Sequence, residues 1–239
     1  MAKILFFDIE TTPNVSYTWG KYEQNVLAFV QESELLCFAY KWQGKPTKIE
    51  TVENQTERQL AQKLWRLFDE ADIIIGHNGD AFDIKYSNGR FLYHGFQPPL
   101  PYKTVDTLKI ARQMFKLNSN KLDDLGEKLG LGRKVQTGGF SLWLGCMANK
   151  PSSWRKMRRY NKQDVDLLEQ VYDRLKGWKK SHPNLNYIDE IERPACATCG
   201  SEQVISKGVD RTLKTPRQRW KCKSCGANQY ALKDNPLRT

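Results

Sequence analysis

The chain has 239 residues, which suits one large domain with a small module beside it. Its 38 Lys and Arg residues outnumber its 27 Asp and Glu residues, and the formal charge of +11 favours a polyanionic partner, above all nucleic acid, although a basic surface also serves solubility. No apolar run reaches the roughly 18 residues of a membrane-spanning helix, and charges follow the first apolar stretch too soon for a secretory signal. We therefore expect an intracellular protein with no membrane partner.

The first part of the chain predicts strands and then an alternation of helix and strand. Apolar runs predict strands over residues 3–8, 35–42 and 48–52, which suggests a meander. Leucines at helical spacing after a threonine cap predict a helix over residues 56–70, and the run ADIIIGHN predicts a buried strand over residues 71–78. The fold class is therefore mixed α/β.

The rest of the chain is mainly helical, with a proline-rich break at residues 98–101. Helices are predicted over residues 83–94, 107–116, 121–129 and 152–178, the last with a break near Tyr160 as an alternative. The helical pattern then fades. The predicted organisation is a large domain over residues 1–180, a linker over residues 181–193 and a small module over residues 194–239.

Two carboxylates follow the first apolar strand. Asp8 and Glu10 are two residues apart in FFDIETTP, and strand periodicity places such residues on one face. Adjacent like charges are costly unless a cation or water neutralises them. Hard oxygen ligands select Mg²⁺ or Mn²⁺, and a pair of such ions can hold the attacking and leaving oxygens of a phosphodiester. A solvated strand end is the alternative interpretation.

Three further residues extend this group. Asp83 follows the buried strand and a GDAF turn, where stabilisation of a helix start is the simpler interpretation. Tyr160 and Asp164 are four residues apart in YNKQD, hence neighbours on one face of the long helix. A phenol with an ordinary pKa near 10 is a poor base at neutral pH, so Tyr160 would orient a water molecule by hydrogen bonding.

The segments FDIETTP, HNGDAFDIKY and YNKQDVDLLEQVY, in this order, resemble the three exonuclease motifs of the DEDD superfamily in its tyrosine-containing branch. The likeness is above all to the proofreading exonuclease domains of family B DNA polymerases and their stand-alone relatives, and it covers about residues 3–175. It implies a ribonuclease H-like fold, 3′-to-5′ exonuclease activity and a water molecule positioned by Tyr160. The implied ligands of two Mg²⁺ or Mn²⁺ ions are Asp8, Glu10, Asp83 and Asp164.

The same resemblance suggests contacts with the terminal nucleotide. Backbone or side chain at Ile9 and Thr11 would pack beside it, and Asn78 and Phe82 would shape its pocket. Asp106 is a further candidate near the site, with helix capping as the ordinary alternative.

Four of the six cysteines form two close pairs near the C-terminus. Each pair has the pattern C-x2-C followed by glycine, and the spacer between the pairs covers residues 200–221. Four thiolates suit tetrahedral Zn²⁺, and the pattern resembles a zinc ribbon with a structural metal. The predicted ligands of this Zn²⁺ are Cys196, Cys199, Cys222 and Cys225. Cys37 and Cys146 are isolated and predict small core residues.

Basic residues concentrate in two places. Residues 194–239 hold nine Lys and Arg against three acids, more than half of the net charge. The residues there that suit phosphate contacts or base stacking are Arg211, Lys214, Arg217, Arg219, Lys221, Lys223, Trp220 and Tyr230, with a packing role as the alternative for Trp220. Arg158 and Arg159 belong to a second cluster around Tyr160, and we expect them to guide a strand towards the metals.

Three functions remain open at the level of sequence. The first is an exonuclease that removes nucleotides from a 3′ end; the others are a nucleic-acid-binding protein with a vestigial metal site, and a structure-selective endonuclease or resolvase. DNA is the expected substrate and RNA the alternative. The ribbon would bind nucleic acid or a replication or repair protein. By analogy, the setting would be replication, repair or recombination in a bacterium or a bacteriophage-infected cell.

Overall fold

The computed structural model describes residues 2–22, 25–133, 137–179, 181–189, 195–211 and 216–232. Its strands are β1 (Ile4–Thr11), β2 (Val15–Tyr17), β3 (Ala28–Gln31), β4 (Leu35–Trp42), β5 (Lys48–Thr51), β6 (Ile73–Gly76), β7 (Lys103–Asp106), β8 (Val204–Arg211), β9 (Pro216–Cys222) and β10 (Asn228–Leu232). Its α-helices are α1 (Glu57–Glu70), α2 (Asp83–Tyr93), α3 (Thr107–Met114), α4 (Leu122–Lys128), α5 (Ser141–Met147), α6 (Pro151–Leu175) and α7 (Leu185–Ile188).

A five-stranded sheet in the order β5-β4-β1-β6-β7 forms the centre of the large domain. Strands β5, β4 and β1 are antiparallel neighbours, so the predicted meander is confirmed. Strands β1, β6 and β7 are parallel, and their carboxyl ends therefore meet at one edge of the sheet. Ligands of open α/β sheets bind at this edge.

Helices cover both faces of the sheet because β1 is apolar on both. Leu5, Phe7 and Ile9 are buried on the face covered by α1 and α2. Ile4 and Phe6 are buried on the other face, against α6. Side chains alternate along a strand, so Asp8 and Glu10 continue the row of Ile4 and Phe6 and face α6.

Helix α6 is continuous from Pro151 to Leu175, without the break near Tyr160 that the sequence left open. Pro151 occupies the first turn, where its missing N–H costs no hydrogen bond. A 3₁₀ turn over Lys176–Trp178 follows. No helix of the described residues is long and apolar enough to cross a membrane.

The C-terminal module, called the ribbon below, comprises the described residues from 195 to 232. Its three strands, β8 to β10, pair in the order β10-β9-β8. The segment predicted as a linker contains helix α7, and Leu185 in it is buried in the core of the large domain. This part of the segment is packed against the domain and does not act as an extended spacer.

Candidate active site and zinc centre

Three carboxylates converge between β1 and α6. Asp8 and Glu10 project from the carboxyl half of β1, and Asp164 is buried in the middle of α6. One ligand oxygen from each lies within 4.8 Å of the others. An all-oxygen set at this spacing has the chemistry that Mg²⁺ and Mn²⁺ prefer, so these residues fit the divalent ions expected from the sequence.

The fourth predicted ligand, Asp83, lies beside this group of three. It begins α2 and is buried, and its Oδ1 accepts a hydrogen bond from the backbone N–H of Ile9 at 3.3 Å. Ile9 stands between Asp8 and Glu10 in the sequence. This hydrogen bond therefore ties the start of α2 to the strand that carries the two other acids.

Tyr160 lies one helical turn before Asp164. Its ring is half-buried and packs edge-on against Trp143, with 6.2 Å between ring centroids. Burial raises the pKa of Tyr160 well above its usual range, and the negative charges of Asp164, Glu10 and Asp8 raise it further. In this environment the Tyr160 hydroxyl keeps its proton.

Asn161 is a site residue that the sequence interpretation missed. It is fully buried, and its Nδ2 donates to Asp8 Oδ2 at 2.7 Å and to the Asp8 carbonyl at 3.3 Å. Its Oδ1 accepts a hydrogen bond from Cys37 Sγ at 3.8 Å. Burial raises the pKa of the Cys37 thiol, which remains a donor. A signal was available, because Asn161 is three residues before Asp164 and shares its helix face.

The loop after β6 presents Asn78 and Phe82 to solvent. Asn78 has a φ of 67°, and its backbone N–H donates to Asp106 Oδ1 at 3.0 Å. Asp106 also caps α3 by accepting from Leu108 and Lys109, so its role is structural: it joins the loop to the helix. The Phe82 side chain is 45% exposed next to Asp83. Its ring packs against that of Tyr86, with 5.8 Å between centroids, and the loop thus presents a partly exposed aromatic ring next to Asp83.

The other predicted nucleotide contacts are placed differently. The Ile9 side chain is buried in the core, so only its backbone remains for a nucleotide, whereas Thr11 is half-exposed at the end of β1. Arg158 donates to Thr51 Oγ1 and forms an ion pair with Glu53. Arg159 is exposed to solvent on α6. Of the two arginines, Arg159 is therefore the more available to a strand.

The four ribbon cysteines also converge. The Sγ atoms of Cys196 and Cys225 are 3.6 Å apart, and those of Cys199 and Cys222 are 3.8 Å apart. Tetrahedral coordination with Zn–S bonds of about 2.3 Å requires sulfur atoms about 3.8 Å apart. Hydrogen bonds from Cys196 and Cys225 lower the pKa of Cys199, which favours a thiolate there. The thiol set therefore fits Zn²⁺.

A ribonuclease H-like α/β domain with a carboxylate cluster at the end of its first strand defines the class of this protein. The chain belongs to the RNase_H superfamily, because the RNase_H_2 family model matches residues 5–176. Membership of this superfamily, together with the acidic cluster, supports a nuclease.

Two polymerases are similar to parts of this chain. Over 80 residues it is 35% identical to the DNA polymerase III PolC-type of Ureaplasma parvum serovar 3, a match that covers 33% of this chain and 5% of that protein. Its fold resembles the family B DNA polymerase from the hyperthermophilic archaeon Pyrobaculum calidifontis, with a TM-score of 0.58 and 17% identity. That likeness covers 73% of this chain and 24% of the polymerase chain. This chain therefore corresponds to a minor part of each polymerase, and the second likeness concerns the fold alone.

Proposed function

We propose that this protein is a 3′-to-5′ exonuclease that hydrolyses phosphodiester bonds of nucleic acid, with DNA as its main substrate and two divalent ions at its active site. The convergence of Asp8, Glu10 and Asp164 within 4.8 Å is the observation that carries this proposal. It brings three like charges together at the end of an apolar strand, an arrangement that is costly unless a cation neutralises them.

Asp8, Glu10 and Asp164 would hold the ions, with Asp83 beside them as the fourth carboxylate. Bound Mg²⁺ or Mn²⁺ would supply positive charge to the scissile phosphate and lower the pKa of water. The protein holds its own ligands in place through the Asp83 bond to β1 and the Asn161 bonds to Asp8.

Tyr160 would orient the attacking water. Its hydroxyl stays protonated in this acidic, half-buried environment and can donate a hydrogen bond, but it cannot take a proton at neutral pH. A protonated donor placed one turn from Asp164 can fix the direction of attack.

Phe82 supports an end-directed reaction. Its exposed ring stands directly before Asp83 and can stack on the last base of a strand, because every base presents a π face. The backbone at Ile9, the side chains of Thr11 and Asn78, and the exposed Arg159 would complete the contacts with the terminal nucleotide. Arg158 would support this surface through its ion pair with Glu53.

The ribbon would bind one structural Zn²⁺ through its four cysteines and assist binding of substrate or of a replication or repair protein. The similarity to a bacterial DNA polymerase supports a setting in DNA replication or repair, in a bacterium or a bacteriophage-infected cell.

Cleavage of a 5′-labelled single-stranded DNA and of its RNA counterpart tests the activity. We expect a ladder that shortens from the 3′ end in Mg²⁺ or Mn²⁺ and disappears with EDTA. Asp164→Ala should reduce cleavage by at least about a thousandfold while strand binding persists, because it removes a metal ligand and leaves the basic surface. Asp173→Ala, an exposed acid on the same helix, is the matched control and should cleave normally.

A strand with a blocked 3′ end separates the alternatives. An exonuclease stops on it, whereas an endonuclease still cuts, which would contradict the proposed direction. Binding of all substrates without cleavage in any metal would instead support a binding protein.

A further inference from the structure

A cleft lies between the ribbon and the C-terminal end of α6, beyond the middle of the helix that carries Asp164. The ribbon approaches closely here, since a Cβ added to Gly177 would lie 2.0 Å from the Cys225 carbonyl oxygen. The backbone N–H of Leu185 donates to the Ala197 carbonyl at 2.8 Å, which joins α7 to the ribbon. These contacts border a cavity of about 600 Å³.

Two aromatic side chains, one from the large domain and one from the ribbon, line this cavity. Trp178, from the large domain, is 56% exposed and packs edge-on against Phe115, and Tyr230, from β10, is 44% exposed. Polar groups of Lys179 and Asn228 line the same cavity. Exposed ring faces beside an amide and an ammonium group have the chemistry that recognises a nucleobase with its phosphate.

Basic side chains lie on the ribbon strand β9, which pairs with the strand that carries Tyr230. In the β9–β10 ladder Arg219 pairs with Tyr230, and Lys221 pairs with Asn228. Side chains of directly paired residues in an antiparallel sheet lie on the same face. Arg217, two residues before Arg219, lies on this face as well, and all three basic side chains are exposed. This set, Arg217, Arg219 and Lys221, is called the basic face.

Trp220 lies on the opposite face of β9, where it pairs with Gln229, and it is half-buried. The sequence could not separate Trp220 from Tyr230 as a stacking residue. The strand register separates them, because only Tyr230 shares a face with the basic residues.

The cleft is remote from the acidic cluster. Gly177 follows Asp164 by thirteen residues along α6 and its 3₁₀ extension, which corresponds to about 20 Å. At the spacing of about 3.4 Å per nucleotide along a helical strand, about six nucleotides span this distance, and an extended strand needs fewer.

We propose that the Trp178–Tyr230 cleft and the basic face form a second binding site for the nucleic-acid strand, which holds nucleotides several positions away from the one being removed. Trp178 and Tyr230 stack on bases, and the basic face contacts phosphates. This inference rests on the proposed function, because it takes nucleic acid as the substrate.

Binding measured without turnover tests the second site. In an Asp164→Asn background, affinities for a trinucleotide, which is too short to reach both sites, and for a 16-nucleotide single strand are compared by fluorescence anisotropy. The longer strand should bind at least about tenfold more tightly, and Trp178→Ala or Tyr230→Ala should each lower that ratio by about fivefold or more, as expected for loss of one stacked base. Arg219→Gln should reduce the slope of log affinity against log salt by about 0.7 for the long strand.

Matched controls lie on the other side of the central sheet. Tyr93→Ala removes an exposed aromatic ring of α2, and Arg66→Gln removes an exposed charge of α1; both should leave the ratio and the slope unchanged. If Trp178→Ala disturbs folding, Tyr230→Ala still tests the site. Tyr230 is exposed and its strand is held by backbone pairing, so its removal should leave the fold intact. Equal ratios in the Asp164→Asn parent and in its Trp178→Ala and Tyr230→Ala derivatives would overturn the second site. Absence of cleavage by the wild-type protein, together with an intact length effect, would instead contradict only the exonuclease.

Discussion

At the scale of single residues, the placement of Asp8 depends on a neutral side chain. Asn161 donates to the Asp8 carboxylate and accepts from the Cys37 thiol, so its amide orientation is fixed from both sides. An amide can orient a carboxylate without neutralising the charge that a metal needs. A lysine at the same position would compete with the metal.

Asn161→Ala should therefore weaken metal use more than strand binding. We expect the Mg²⁺ concentration for half-maximal cleavage to rise about tenfold, because a ligand that loses its supporting hydrogen bond is less well ordered. A Mg²⁺ titration of cleavage measures this. Gln163→Ala, which removes an amide two residues further along α6, is the control, and identical Mg²⁺ titrations of the two variants would contradict the role of Asn161.

His182 should make the stability of the folded protein depend on pH. Burial lowers the pKa of His182 to about 4 from its ordinary 6.5, and its Nε2 lies 2.8 Å from the Tyr172 hydroxyl. Between these two values the unfolded chain binds a proton that the folded protein excludes. The stability is therefore complete above pH 6.5 and decreases as the pH falls towards about 4, by up to about 3 kcal/mol.

His182→Gln keeps a hydrogen-bonding group for Tyr172 but does not titrate. Denaturant unfolding of both proteins at pH 4.5 and 7.5, with zinc present, should show that the wild type loses about 2 to 3 kcal/mol more than the variant. Loss of zinc at low pH affects both proteins alike and cancels in the difference. Parallel losses would exclude His182 as the source.

The sequence predicted the ionic part of the site better than the neutral part. Each of Asp8, Glu10 and Asp164 was a weak signal by itself, and the order of the three motifs, which resembles that of DEDD exonucleases, grouped them as metal ligands. Asn161 has no charge whose burial would be costly, so the sequence did not single it out. Its role becomes visible only where α6 approaches β1 in the structure. Asp106 was expected as a further candidate near the site, with helix capping as the alternative; the structure shows the capping, and the bond of Asp106 to the Asn78 backbone requires the tertiary fold.

At the scale of elements, buried segments were predicted and exposed ones were missed. Strand β4 and helix α1 have the expected bounds to within a residue, because their apolar residues follow the period of a two-sided strand or an amphipathic helix. The hairpin of β2 and β3 was missed: its side chains are mostly exposed and carry no such period. Strand β7 has four residues, too few for a periodic signal.

Replacement of Gly89 and of Gly177 by alanine should have opposite effects. Gly89 lies inside α2 with open space around its missing Cβ, whereas a Cβ at Gly177 would meet the Cys225 carbonyl at 2.0 Å. Gly89→Ala should stabilise the protein by about 0.5 to 1 kcal/mol, since alanine loses less backbone entropy in a helix. Gly177→Ala should instead displace the ribbon from the large domain.

Hydrogen exchange at the Leu185 amide reports the displacement, because this N–H donates to Ala197 of the ribbon. We expect faster exchange in Gly177→Ala and unchanged exchange in Gly89→Ala, with zinc retained in both. Unchanged protection in Gly177→Ala would mean that the close approach does not hold the ribbon in place.

At the scale of the whole molecule, two parts of the chain are held together by different interactions. Three apolar clusters stabilise the large domain, and the largest joins the central sheet to α6. The buried cluster of the described ribbon consists of Cys196, Cys222 and Ala227, with Val204 and the remaining cysteines half-buried around it. Four of the six residues of this cluster are therefore the cysteines predicted to bind zinc.

Removal of zinc should accordingly unfold the ribbon and leave the large domain folded. Zinc binding to a site of four thiolates contributes about 10 to 16 kcal/mol, far more than so small an apolar cluster can supply. Hydrogen exchange followed by mass spectrometry, before and after chelation, should show that protection is lost in β8 to β10 and retained in β1, β4 and α6. Zn²⁺ should restore the ribbon where Mg²⁺ does not, because a hard cation binds thiolates poorly. Protection of the ribbon that survives complete removal of zinc would mean that contacts with α7 and Gly177, rather than the metal, maintain its fold.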